Sequence, residues 1–218
     1  MTPLIAEELL LLAYSPDGVA RGKGIELDMA VGGALLSELA GEGHLELRDG
    51  RLEVTGIRPG PAHPVLREVL AQVAKRPRRP KSTVTRVARG ARHRLLACLV
   101  EAGVLADEPR RVLLVFPGHK YPLVDPRPRD AAAARLRAAV DNVDPTPDAR
   151  TAALAGLLEA SRLYRRVFPD DDRRVVQRRL RELGAADFAP EAVRAAIKAA
   201  RAARAAASSA AATSGGAG

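Results

Sequence analysis

The segment Arg86 to Val100 concentrates residues whose types and spacing can do chemistry. On a helix turning about 100° per residue, Arg86, Arg89, Arg92 and His93 share one arc, which continues as Leu96, Leu99 and Val100. Such a helix buries its C-terminal half and presents arginines near its N-terminal end. There the unpaired amides and the helix dipole already favour an anion, and guanidinium groups hold phosphate oxygens bidentately. A solvated basic face is the plainer reading of the same stripe. Elsewhere the reactive residue types are dispersed. His44, His63, His93 and His119 have no Cys or His partner at metal-ligand spacing. Gly22-Lys23-Gly24 is too short to cradle a phosphate, and no P-loop, dinucleotide fingerprint or Gly-x-Ser-x-Gly turn occurs. The expectation is a binding protein without a cofactor or metal, not an enzyme.

The elements that must position these arginines read as mainly helical. Leu4 to Ala13 is a short apolar helix closed by the turn cluster Tyr14-Ser15-Pro16-Asp17-Gly18, and Asp28 is placed to cap a second helix reaching about Ala40. Asp49-Gly50 between two short alternating runs predicts a hairpin on a type I′ turn. Leu35-Leu36, Leu39, Gly43 and Leu45 recur at the same spacing as Leu95-Leu96, Leu99, Gly103 and Leu105. This predicts two helix-then-hairpin units, the second hairpin pairing Val112–Phe116 with Tyr121–Val124. A helix over Val65–Ala74 precedes a basic loop, Lys75 to Lys81, and further helices are predicted at Ala131–Asp141, Asp148–Val167, Asp170–Leu183 and Pro190 to about Ala205. The fold class is thus mainly α, a single globular helical domain over 1–205 with two short β-hairpins and a disordered low-complexity tail over 206–218.

The run from Arg89 to Leu105, Arg-Gly-Ala-Arg-His-Arg-Leu-Leu-Ala-Cys-Leu-Val-Glu-Ala-Gly-Val-Leu, resembles a segment of the Golgi phosphoprotein 3 family. Glu7 to Leu12, Gly33 to Leu39, Val112 to Phe116 and Tyr121-Pro122-Leu123 match that family in the same order, so the resemblance covers roughly 4–200. It implies a mostly helical peripheral membrane protein that binds phosphatidylinositol 4-phosphate or a related anionic phospholipid headgroup. The same resemblance carries the two pocket arginines onto Arg89 and Arg92, and the membrane-contacting hairpin onto Phe116, Lys120, Tyr121 and Leu123. The family's pocket Trp falls near Lys23 and a further pocket Arg at Gly32, so Lys23 is the candidate to supply the charge that Gly32 lacks.

With 35 Lys and Arg against 26 Asp and Glu, the surface is positive and polyanions are its natural partners, lipid and nucleic acid alike. The rival reading is a winged-helix-like nucleic-acid-binding protein, since a helix ending at glycine before a hairpin describes that module too. Leu- and Ala-rich helices with only Gln72, Gln177 and Asn142 among the amide side chains argue against it. The single Cys98 predicts a buried core thiol in a reducing compartment. No run approaches the ~20 apolar residues of a spanning helix, and the acidic start does not read as a secretory signal. The expected place is therefore cytoplasmic, peripherally associated with the cytoplasmic face of a membrane. A second copy of the chain and membrane-associated client proteins are further candidate partners. The Ala, Gly and Arg bias points to a GC-rich bacterial genome, so a Golgi retention role is not carried over.

Overall fold

Carboxylates inside an apolar helix need internal partners, and α1 (Ile5–Ala13) has them on both flanks. Glu7 Oε2 accepts the Leu4 amide at 2.8 Å, and Glu8 takes the Arg135 guanidinium at 2.9 Å. With those charges matched, all four leucines from Leu9 to Leu12 enter the core. The computed structural model describes residues 2–20, 24–57, 59–112 and 116–214, the side chains of 110–117 and 207–214 excepted.

The chain is mainly α with two short antiparallel β-hairpins. Helix α2 (Gly24–Gly41) is buried along nearly its whole length, packed by α1, α4 (Pro80–Val87), α5 (Ala91–Glu101), α7 (Ala149–Ser161) and α10 (Ala189–Ser214). Gly32 permits the close approach of α4: a Cβ there would sit 2.9 Å from Val84 O and 3.1 Å from Ala88 N. The end of α4, immediately before Arg89, is thereby seated directly on α2. One contiguous apolar cluster contains residues from Leu4 to Ile197.

The first hairpin joins β1 (Leu45–Arg48) to β2 (Arg51–Val54), with Asp49 and Gly50 both at positive φ as the type I′ reading requires. Gly43 and Gly103 both adopt positive φ after their helices, so the helix, glycine, hairpin repeat is real in the backbone. The second hairpin, however, joins β3 (Glu108–Val112) to β4 (Phe116–Lys120) and not the later pair predicted from sequence. Its expected second strand is used elsewhere: the Tyr121 and Leu123 amides donate to Gly18 O and Pro16 O, each at 2.9 Å.

Local sequence misplaced several boundaries. Helix α2 starts four residues before Asp28, which is therefore no cap. Pro80 and Lys81, read as loop, open α4, because the first helical turn needs no amide from proline. The span read as one helix over Asp148–Val167 breaks at Arg162, where φ is 62°, into α7 and α8 (Tyr164–Val167). Helices α3 (Pro64–Ala74), α6 (Arg127–Val140) and α9 (Arg173–Leu183) fall close to their predicted places. Asp172 caps α9, accepting the Arg174 and Val175 amides at 2.8 and 3.1 Å. Helix α10 carries described side chains through Ala206, so the predicted tail lies almost wholly outside them. No helix among the described residues is long and apolar enough to cross a membrane.

Candidate functional site

The predicted continuous helix from Arg86 to Val100 does not form, and the break sharpens the site. Gly90 adopts φ 71°, a left-handed conformation that costs an L side chain about 1 kcal/mol or more, so α4 stops at Val87 and α5 begins afresh at Ala91. Arg86 thus belongs to α4, while Arg89, Arg92 and His93 surround the start of α5. The first backbone bond of α5 runs from Arg94 N–H to Gly90 O, at 3.3 Å. Gly90 brings no capping side chain and the first turn holds no acid. The dipole's positive end is therefore presented uncompensated beside two arginines.

A cleft of about 230 Å³ opens there, lined by Asp28, Met29, Arg89, Gly90, Arg92 and His93. Arg89 is exposed, and among the described residues no carboxylate lies within salt-bridge distance of it. Arg92 is not free in the same way: its Nε forms an ion pair with Asp28 Oδ1 at 3.1 Å, both side chains being 31% exposed. Burial pushes the Asp28 carboxyl above the usual Asp range, and Arg92 pulls it only partly back. The Tyr14 phenol is likewise raised, first by burial, then by Tyr121 and Asp28, against Arg92. One arginine is thus open to an anion and the other shares its charge with an internal acid.

The remaining predicted site residues are placed as follows. Lys23 lies outside the described residues. Gly32 cannot be replaced by the family's arginine without displacing α4, so Asp28, one turn earlier on α2, is the charged group that α2 contributes. Phe116 begins β4, and its side chain lies outside the described ones. Lys120 Nζ forms an ion pair with Glu108 Oε2 across the hairpin at 2.6 Å. Tyr121 corrects the membrane-contact expectation. It is only 9% exposed and packs edge-on against Tyr14, ring centroids 6.2 Å apart, so it anchors the hairpin to the body. Leu123 is partly buried against the same core. Cys98, expected in the core, is half-buried, and burial raises its thiol pKa, with Glu7 and Glu101 adding to it.

Sequence reasoning missed Asp28 as a member of this site, because its pairing with Arg92 is a tertiary contact with no linear signal. Among the described residues, no three His, Cys, Asp or Glu side chains gather to hold a metal.

The fold defines a class of mainly helical proteins carrying two short antiparallel β-hairpins. The chain belongs to the Golgi phosphoprotein 3 (GPP34) family, whose model matches it over residues 5–200. No curated protein matches it.

Proposed function

We propose that the protein is a peripheral membrane protein that binds phosphatidylinositol 4-phosphate, or a related anionic phospholipid headgroup, in the cleft at the start of α5. The observation that carries this reading is the Arg89 guanidinium, without a carboxylate partner among the described residues, at the uncapped start of α5 in the same cleft as an Arg92 held by Asp28. Arg89 makes the primary phosphate contact, and Arg92 and His93 add donors once the phosphate competes with Asp28. The protein does no chemistry on the lipid; it reads it, at the cytoplasmic face of a membrane. Exposed bases of Lys75 to Lys81, next to α4, strengthen the encounter with an anionic leaflet by about 1 kcal/mol each near the surface.

Cosedimentation with vesicles tests this at near-physiological salt, where net charge alone captures little. Capture should rise with phosphoinositide content, and Arg89→Ala with Arg92→Ala should abolish the phosphoinositide-dependent part. Retained selectivity in that double variant would place the headgroup elsewhere. The nucleic-acid alternative is disfavoured by α2, which is enclosed by other helices and cannot enter a groove. Sequence-selective binding of duplex DNA, with indifference to lipid, would restore it.

A further inference from the structure

A second positive cleft lies between α7, α9 and α10, away from the one at α5. It encloses about 300 Å³ and is lined by Glu159, Arg162, Gln177, Arg181, Arg194, Lys198 and Arg201. Its one carboxylate is Glu159, 3% exposed and fully committed. Gln177 Nε2 and Arg181 Nη2 donate to its Oε1, each at 2.8 Å, and Arg194 Nη1 to its Oε2 at 2.7 Å. Arg201 is held at 2.6 Å by Glu26, itself 6% exposed. Arg162 and Lys198 remain. Both are exposed, and neither has a carboxylate within 4.0 Å among the described residues.

The Glu159 network does more than neutralise charge. Glu159 holds Arg181 through one nitrogen and Arg194 through Nη1, while Glu191 Oε2 takes Arg194 Nε and Nη2 at 3.1 and 3.0 Å, so the Arg194 plane is fixed from both sides and its remaining N–H groups need little ordering when an anion arrives. Arg162 points the same way. It closes α7 in the left-handed region, at φ 62°, where glycine is the ordinary choice and an arginine costs about 1 kcal/mol. The carbonyl end of α7 opposes an anion with roughly half a charge, which is less than the charge of Arg162 and Lys198, the two cations left over once Glu159, Glu191 and Glu26 have answered the other three.

We propose that this cleft is a second anion site that takes a ligand bearing two or more adjacent phosphoryl groups, with Arg162 and Lys198 as its unpaired contacts and Arg181 and Arg194 as prepositioned donors. The site does not depend on lipid binding at α5.

The test uses the Arg89→Ala, Arg92→Ala protein, in which the first cleft is disarmed, and inorganic pyrophosphate as the probe, followed by calorimetry at near-physiological salt. One equivalent should bind saturably, and adding Arg162→Gln with Lys198→Gln should weaken it at least tenfold. Both are exposed residues without a structural ion pair, and an unchanged circular dichroism spectrum certifies the fold. In a parallel arm the same proteins meet vesicles whose only anion is phosphatidic acid. Loss of pyrophosphate binding alone identifies a soluble phosphorylated ligand, and loss of both identifies a clustered lipid phosphate. Absence of saturable pyrophosphate binding, or binding indifferent to the Gln pair, overturns the proposal.

Discussion

Asp28→Asn should make the protein bind anionic vesicles more tightly. The Arg92 Nε to Asp28 Oδ1 ion pair is 3.1 Å, so an anion bonded to another nitrogen of that guanidinium lies roughly 6 Å from the carboxylate. Two like charges at that separation repel by about 0.7 kcal/mol at the dielectric of water and about 2.8 kcal/mol at an effective constant near 20. The cleft is open, with Asp28 and Arg92 each 31% exposed, which favours the lower end. About 1 kcal/mol, or roughly fivefold in affinity, is the expected gain. Asparagine keeps the side chain's size and an acceptor for Arg92, so the cleft's shape should survive. The assay is vesicle titration of both proteins at about 0.15 M salt, repeated at higher salt to confirm that the gain shrinks with screening. Equal or weaker binding by Asp28→Asn would refute the account, because it would mean that the acid's grip on Arg92 contributes more than its charge removes. The pH dependence gives an independent check. Asp28 titrates above the usual Asp range, so lowering the pH neutralises it before ordinary aspartates. The wild-type affinity for a phosphodiester headgroup should rise toward that of Asp28→Asn as it does so, while Asp28→Asn stays flat over that window.

Glu159→Gln should destabilise the fold by about 1–3 kcal/mol in urea denaturation at neutral pH, since it weakens the charge-assisted bonds from Arg181 and Arg194, whose side chains are 60% and 35% exposed and stay solvated. Burial opposes its ionisation, yet Gln177, Arg181 and Arg194 together hold its pKa below the usual Glu range. Its contribution is therefore present above the unfolded value and lost as pH falls through the folded one, so the gap between the two proteins should narrow in acid. Gly32→Ala should cost about 1–3 kcal/mol in thermal or urea unfolding, because its Cβ would press on Val84 O at 2.9 Å. Tyr121→Ala should cost about 2–4 kcal/mol in stability by emptying the contact with Tyr14. Lys120→Ala, whose partner Glu108 is half exposed, should leave stability within about 0.5 kcal/mol.

Much of the helical framework was legible in the chain, and the reasons are local. Leu- and Ala-rich periodic stretches, Asp172 as a cap and Asp49-Gly50 as a turn act over four to six neighbouring residues, so linear order is enough to read them. The resemblance of Arg89 to Leu105 similarly put two arginines beside one another, and they do line one cleft, because they lie close in sequence whatever the backbone does between them. Only tertiary contacts gave Arg89 and Arg92 different partners. Asp28 comes from a helix 64 positions earlier and reaches Arg92 because Gly32 lets α4 settle on α2, a requirement with no periodic signature. The second hairpin went wrong for the same reason. Tyr121 and Leu123 look like a strand by composition, but the loop from Pro16 to Gly18 claims their amides first, and a competition between distant segments for one set of hydrogen bonds is written nowhere in the local pattern. Propensity is a property of neighbours along the chain; charge pairing and strand partnership belong to neighbours in space.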